Sequence, residues 1–151
     1  MHRQDEPHYR RFSAIARALG RSLPQHYALL QAEQRDIEGA VPSLAPNERR
    51  GLDLALPYIG AEDSVLVMGC GAGAEIDWLK RAGRTNLTGL DISPRLVGQA
   101  AARHGVPTVL GDIARSGLGD RSFDVVLVHR ALHHLFYPFA ALEEMARLAR
   151  G

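Results

Sequence analysis

The chain has 151 residues, 46% of them hydrophobic and 23% charged, with a formal net charge of +1. That length suits one domain burying roughly 68–70% of its unfolded surface, and the near-neutral charge argues against nucleic acid or a membrane surface as partner. A single cysteine, Cys70, excludes an intramolecular disulfide and a cysteine-based zinc cluster. No run approaches the roughly 20 apolar residues of a membrane span, and the charged first turns carry no signal-peptide pattern, so a soluble cytoplasmic protein is expected.

Residues 1–45 read as an N-terminal helical segment. Phe12, Ile15, Ala16 and Leu19 recur at i, i+3, i+4, i+7, which lays one apolar stripe on a helix ending at Gly20. Ser22 can cap a second helix with Leu23, Tyr27 and Leu30 on one face, and Pro42 and Pro46 punctuate the link to the next. A third helix is expected from Asn47, turning Leu52, Leu56 and Ile59 inward.

The texture then changes to alternating strands and helices. Ser64–Met68 is a short apolar run, the signature of a strand covered on both faces. A glycine turn leads to a helix over Ala74–Ala82, with Glu75 and Asp77 in its first turn, Lys80 and Arg81 in its last, and Gly83 at the C-cap. Leu87–Asp91 reads as the second strand. Ser93 and Pro94 supply the cap and first turn of a helix running to His104. Thr108–Leu110 is a third strand and Phe123–Val128 a fourth. A last helix over Phe139–Arg150 is expected to bury Leu142, Met145 and Leu148. Such alternation predicts an α/β domain over 46–151, a parallel sheet with helices on both faces, whose ligand lies at the carboxyl ends of the strands.

The residues that end each strand are therefore the informative ones. Gly69, Gly71 and Gly73 stand between the first strand and a helix N-terminus, where the backbone can turn sharply and approach an anionic or polar ligand. Gly69-x-Gly71-x-x-Ala74 also fits the looser dinucleotide fingerprint, so this turn alone leaves the ligand open. Asp91 ends the second strand 22 residues after Gly69, where a carboxylate can accept from both hydroxyls of a ribose. Bonds of that kind contribute about 1.5–3 kcal/mol each, so losing Asp91 should weaken binding at least about tenfold. Ser93 is the better-placed helix cap. Asp112, just past the third strand, is a candidate acceptor for an exocyclic amine, with an apolar neighbour to pack on a ring.

In order and at compatible spacing, V-L-V-M-G-C-G-A-G, L-T-G-L-D-I-S, G-D-I and S-F-D-V-V-L-V-H-R-A-L-H-H-L resemble the successive motifs of class I S-adenosylmethionine-dependent methyltransferases, especially the small-molecule branch. The resemblance covers residues 48–151. It implies a Rossmann-like sheet of strand order 3-2-1-4 and methyl transfer from S-adenosylmethionine to a small-molecule acceptor, leaving S-adenosylhomocysteine. It places Met68, Gly69, Cys70, Gly71 and Gly73 along the methionine part, Asp91 on the ribose, Ile92 beside the adenine, Asp112 and Ile113 at the adenine edge, and His129 near the sulfonium.

Two departures stand out. The family usually has an acid where this chain has Val67, which should reshape the methionine end. Members also continue with a fifth strand and an antiparallel pair, so the chain reads as cut short after the fourth strand and helix, with a long apolar strand edge open to association with another copy.

His129 and His133 stand at i, i+4 with His134 beside them, but no acid or cysteine completes a metal set, and no metal is expected. His133 and His134 are instead candidate bases in the acceptor pocket. Phe136 and Tyr137 read as core before pocket, Trp78 as helix–sheet packing, and Asp124 as a local structural acceptor. The N-terminal helices are a candidate lid over the acceptor. Competing readings are a catalytically inactive S-adenosylmethionine-binding or association module, and an NAD-dependent oxidoreductase.

Overall fold

The computed structural model describes residues 44–135 and 138–151. The helices expected within residues 1–43, and the pair Phe136 and Tyr137, lie outside the described residues.

Strand β1 (Val65–Met68) is buried at every position, because helices cover both of its faces. It pairs in parallel with β2 (Leu87–Asp91) in the register Val65↔Leu87, and with β4 (Val125–Val128) in the register Val65↔Val125. Strand β3 (Thr108–Leu110) adds to β2 from Gly89↔Thr108, giving the order β3-β2-β1-β4 that the resemblance implies.

Alternation along β1 sends side chains to two cores. Val65 and Val67 pack with Ile59, Ile76, Leu79, Leu87, Ala100 and Val106. These lie beneath helices α2 (Ala74–Arg81) and α3 (Pro94–His104). Leu66 and Met68 pack with Leu90, Ile113, Ala141 and Leu148, under helix α4 (Pro138–Leu148). Trp78 packs against the first of these cores, as its position in α2 predicts.

Helix α1 (Pro46–Ala55) starts one residue before the expected Asn47, since Pro46 suits the first helical position and the Glu48 carboxylate reaches back to accept the Ala45 N–H at 2.8 Å. Leu52 and Ile59 are buried as expected. Arg84 stitches α1 to α2: its Nε and Nη2 donate to the Ile59 carbonyl at 3.0 and 2.6 Å, Nη2 also reaches Leu56, and Nη1 donates to Ala82.

Helix α4 corrects one expectation. Its inward stripe is Ala141, Glu144, Met145 and Leu148, spaced i, i+3, i+4, i+7, which turns Leu142 outward to 43% exposure. Glu144 is tolerated inside because its carboxylate accepts from Ser116 N at 2.8 Å and Oγ and from two nitrogens of Arg147. Those partners, Arg147 first, hold its acidity at about 2. The fourth strand begins at Val125, two residues later than expected. Phe123 bridges to Ala149 instead, and the Asp124 carboxylate turns to accept from Ser64 N and Oγ at 2.9 and 2.6 Å and from Arg150.

Candidate cofactor site at the strand ends

The turn after β1 is built against two neighbours. Gly69 N–H and Cys70 N–H both donate to the Leu90 carbonyl, at 2.7 and 3.0 Å, which anchors the turn to β2. Gly69 has φ +68°, and a methyl group built there would lie 2.7 Å from Cβ of Ala131, so the segment after β4 sits directly on this residue. At Gly71, φ +52°, nothing among the described residues lies within 4 Å of the same position, leaving an open cradle above its backbone. From the far side His104, at the end of α3, brings Nε2 to 3.3 Å from the Ala72 carbonyl.

Asp91 is joined to this turn. Its Oδ2 accepts the Gly71 N–H at 2.9 Å and its Oδ1 accepts the Ser93 N–H at 3.0 Å. It is buried. Both carboxylate oxygens therefore accept from the backbone of the strand ends. Ser93 caps α3 by accepting from Leu96 N–H at 3.3 Å, so the capping role falls to the serine.

The Asp91 carbonyl also accepts from Gly111 N–H at 2.9 Å, which brings the end of β3 alongside. One residue on, Asp112 Oδ1 accepts the Ala114 N–H at 2.8 Å and shapes the loop. Ile113 is buried in the α4-side core and Ile92 is half-buried. Met68 is fully buried. The Cys70 thiol faces the core, where burial first, then the charges of Asp91 and Glu75, push its pKa far above the usual thiol range.

On the other side of the turn stands a group only partly foreseen. His129, just past β4, meets Glu75 of α2 through Nδ1 at 3.0 Å. Arg130 Nε donates to the same Glu75 oxygen at 3.3 Å, and its Nη1 pairs with Glu48 of α1. Glu75 shares a stripe with Trp78 and Leu79 at i+3 and i+4. An acid on an apolar stripe is the signal that could have marked it, whereas its place in the first helical turn suggests only a dipole partner. Beyond lies a 3-10 turn, Leu132–His134. There His133 is exposed, His134 is half-buried, and their rings meet at a tilt of 47° with centroids 3.7 Å apart. The structure thus brings Gly69, Gly71, Asp91 and the start of the Asp112 loop together by direct bonds, with His129 across the turn. Among the described residues no hydrogen bond ties His133 to that group.

A doubly covered parallel sheet, a glycine turn at the switch point between β1 and β4, and an acid at the end of β2 together define a Rossmann-like nucleotide-binding domain. Comparison with known proteins narrows the class. The methyltransferase domain family model matches residues 66–151. The demethylmenaquinone methyltransferase of Mycobacterium tuberculosis is 34% identical over 121 residues, covering 79% of this chain and 50% of that enzyme. Among solved structures, an S-adenosylmethionine-dependent methyltransferase from Mesorhizobium loti superposes with a TM-score of 0.58 at 25% identity, covering 68% of this chain and 48% of that one. The methyltransferase in complex with the Trm112 activator of Haloferax volcanii gives 0.58 at 28% identity, over 68% and 48% of the two chains. This chain belongs to the class I S-adenosylmethionine-dependent methyltransferases. It spans about half the length of the curated enzyme it matches. Among the described residues no helix is long and apolar enough to cross a membrane.

Proposed function

We propose that this chain binds S-adenosylmethionine across the ends of β1, β2 and β3 and serves methyl transfer to a small-molecule acceptor. The carrying observation is the buried Asp91 carboxylate bonded to the Gly71 N–H beneath an open cradle. The residues present fit the cofactor: a glycine that leaves space for a ligand, a buried acid for vicinal hydroxyls, and a second acid one strand further out. In this reading Met68–Gly73 lies along the methionine part and Asp91 accepts from the ribose. Ile92 flanks the adenine, and Asp112 with Ile113 meets its edge. The cofactor supplies a methyl carbon on a sulfonium, transferred by in-line displacement. What the chain contributes is alignment, which can supply much of the acceleration. A base is required only for an acceptor that must lose a proton, and His133 and His134 remain candidates for it.

The small-molecule acceptor is suggested by the demethylmenaquinone methyltransferase relative. Titration calorimetry with S-adenosylhomocysteine tests the site. Asp91→Ala should weaken binding at least about tenfold, the equivalent of losing one charge-assisted bond. Tighter binding of NAD than of S-adenosylhomocysteine, or equal affinity of wild type and Asp91→Ala, would overturn the reading.

A further inference from the structure

The bonds among Glu48, Glu75, His129 and Arg130 tie α1 and α2 to the segment after β4. They gather three costly features. Glu75 is 4% exposed, and a carboxylate so deep is retained only when paired. Arg130 adopts φ +57°, a left-handed backbone that a residue with a side chain rarely takes. Position 51 is a glycine, with His129 Nε2 lying 4.0 Å from where its Cβ would be, so α1 passes close over the ring. Three separate segments thus converge on one point beside the glycine turn.

Sheet order says which part of a ligand would meet them. Along β3-β2-β1-β4 stand Asp112, Asp91, the glycine turn and then this group, each step one strand spacing of about 4.8 Å. A ligand whose adenine, ribose and sulfur follow the first three brings its amino-acid end to the fourth. Charge agrees. Two carboxylates face one guanidinium here, which suits an ammonium. Among the described residues both bonds to Glu75 land on Oε1, which leaves Oε2 for another donor. Val67, 1% exposed in the core, supplies no charge there.

We propose that Glu75 and Arg130 recognise the amino-acid end of the cofactor. Glu75 Oε2 accepts from the α-ammonium, the Arg130 guanidinium donates to the α-carboxylate, and His129 and Glu48 hold the two side chains in place. This rests on the adenosine site of the proposed function, and the two are separable by experiment. 5′-Methylthioadenosine carries the same adenosine and sulfur but lacks both charged groups.

The full chain is titrated calorimetrically with S-adenosylhomocysteine and, separately, with 5′-methylthioadenosine. Wild type should bind the first about tenfold or more tightly than the second. Glu75→Gln should lose about tenfold or more toward S-adenosylhomocysteine while its affinity for 5′-methylthioadenosine stays within about twofold. Arg130→Gln, altering a side chain 38% exposed and so spared a buried defect, should show the same split and decides the matter if Glu75→Gln does not fold. Equal affinity of wild type for both ligands overturns the amino-acid subsite and leaves the adenosine site standing. So does a folded variant that weakens both ligands together or neither. A folded wild type that binds neither ligand overturns both.

Discussion

Gly69→Ala separates two costs that a glycine turn usually confounds. At φ +68° an alanine carries a backbone penalty of about 1–2 kcal/mol. Its methyl would also sit 2.7 Å from Cβ of Ala131, an atom fixed to the backbone and unable to rotate away. Forcing such a contact apart costs typically about 1–3 kcal/mol. The sum is about 2–5 kcal/mol, a large share of a domain's net stability. Gly71→Ala bears only the first cost, because nothing among the described residues lies within 4 Å of its new methyl. Urea unfolding of Gly69→Ala, Gly71→Ala, Ala131→Gly and the double variant Gly69→Ala/Ala131→Gly measures both terms. Gly69→Ala should be the less stable single alanine variant, and the cycle with Ala131→Gly should return a favourable coupling of about 1–3 kcal/mol. Equal destabilisation at the two glycines, or a coupling near zero, would refute the claim that the segment after β4 rests on the turn. Because the space above Gly71 is the proposed cradle, Gly71→Ala should lose S-adenosylhomocysteine binding while keeping most of its stability.

Three other side chains carry measurable consequences. Glu144, held at about 2 from an ordinary value of 4.5, lends stability that is complete above pH 4.5 and is lost as pH falls through 2. A shift of that size is worth on the order of 3 kcal/mol. Glu144→Gln should therefore flatten the loss of stability in acid denaturation below pH 4.5, without abolishing it, since Ser64 and then Arg150 hold Asp124 at about 2 as well. Arg84→Ala should cost about 2–3 kcal/mol in chemical denaturation by stripping charged donors from three carbonyls. Arg84→Lys should not restore it, for want of the planar fork. Cys70, 2% exposed with its thiol pushed up by burial, should react with a disulfide reagent at pH 8 far more slowly in the native protein than in urea, and a native rate matching the unfolded one would contradict its placement.

Element boundaries were legible where the chain carries explicit punctuation. Ser93 followed by Pro94 marks the start of α3 to the residue, and the unbroken apolar run Val65–Met68 marks a strand covered twice. The same logic failed in α4, where Leu142 outranks Glu144 in hydrophobicity yet lies outside. Ser116 and Arg147, distant in chain or of opposite charge, make the acid the better inward residue. In the site, the glycine turn and Asp91 stood out, and their mutual bond explains why they occur together. Glu75 did not, because its partners His129 and Arg130 lie more than fifty positions away and only the pairing of β1 with β4 brings them near. Arg84 was missed for a similar reason: carbonyl acceptors have no sequence signature.

The pairing of β1 with β4 has a consequence for how the domain breathes. Val65 meets Leu87 across a short excursion of chain but meets Val125 only after a much longer one. Closing the longer loop costs about 1 kcal/mol more in entropy, and β4 has a single partner strand among the described residues to offset it. The seam between β1 and β4 is therefore the natural line of partial unzipping, with β1, β2 and β3 left paired. Amide protons of β4 should exchange through a lower-energy opening than those of β1. One half of the crevice would then stand as a persistent platform while the other detaches and returns, so a ligand spanning both halves would be registered as slowed exchange along β4, far from most of the atoms it touches.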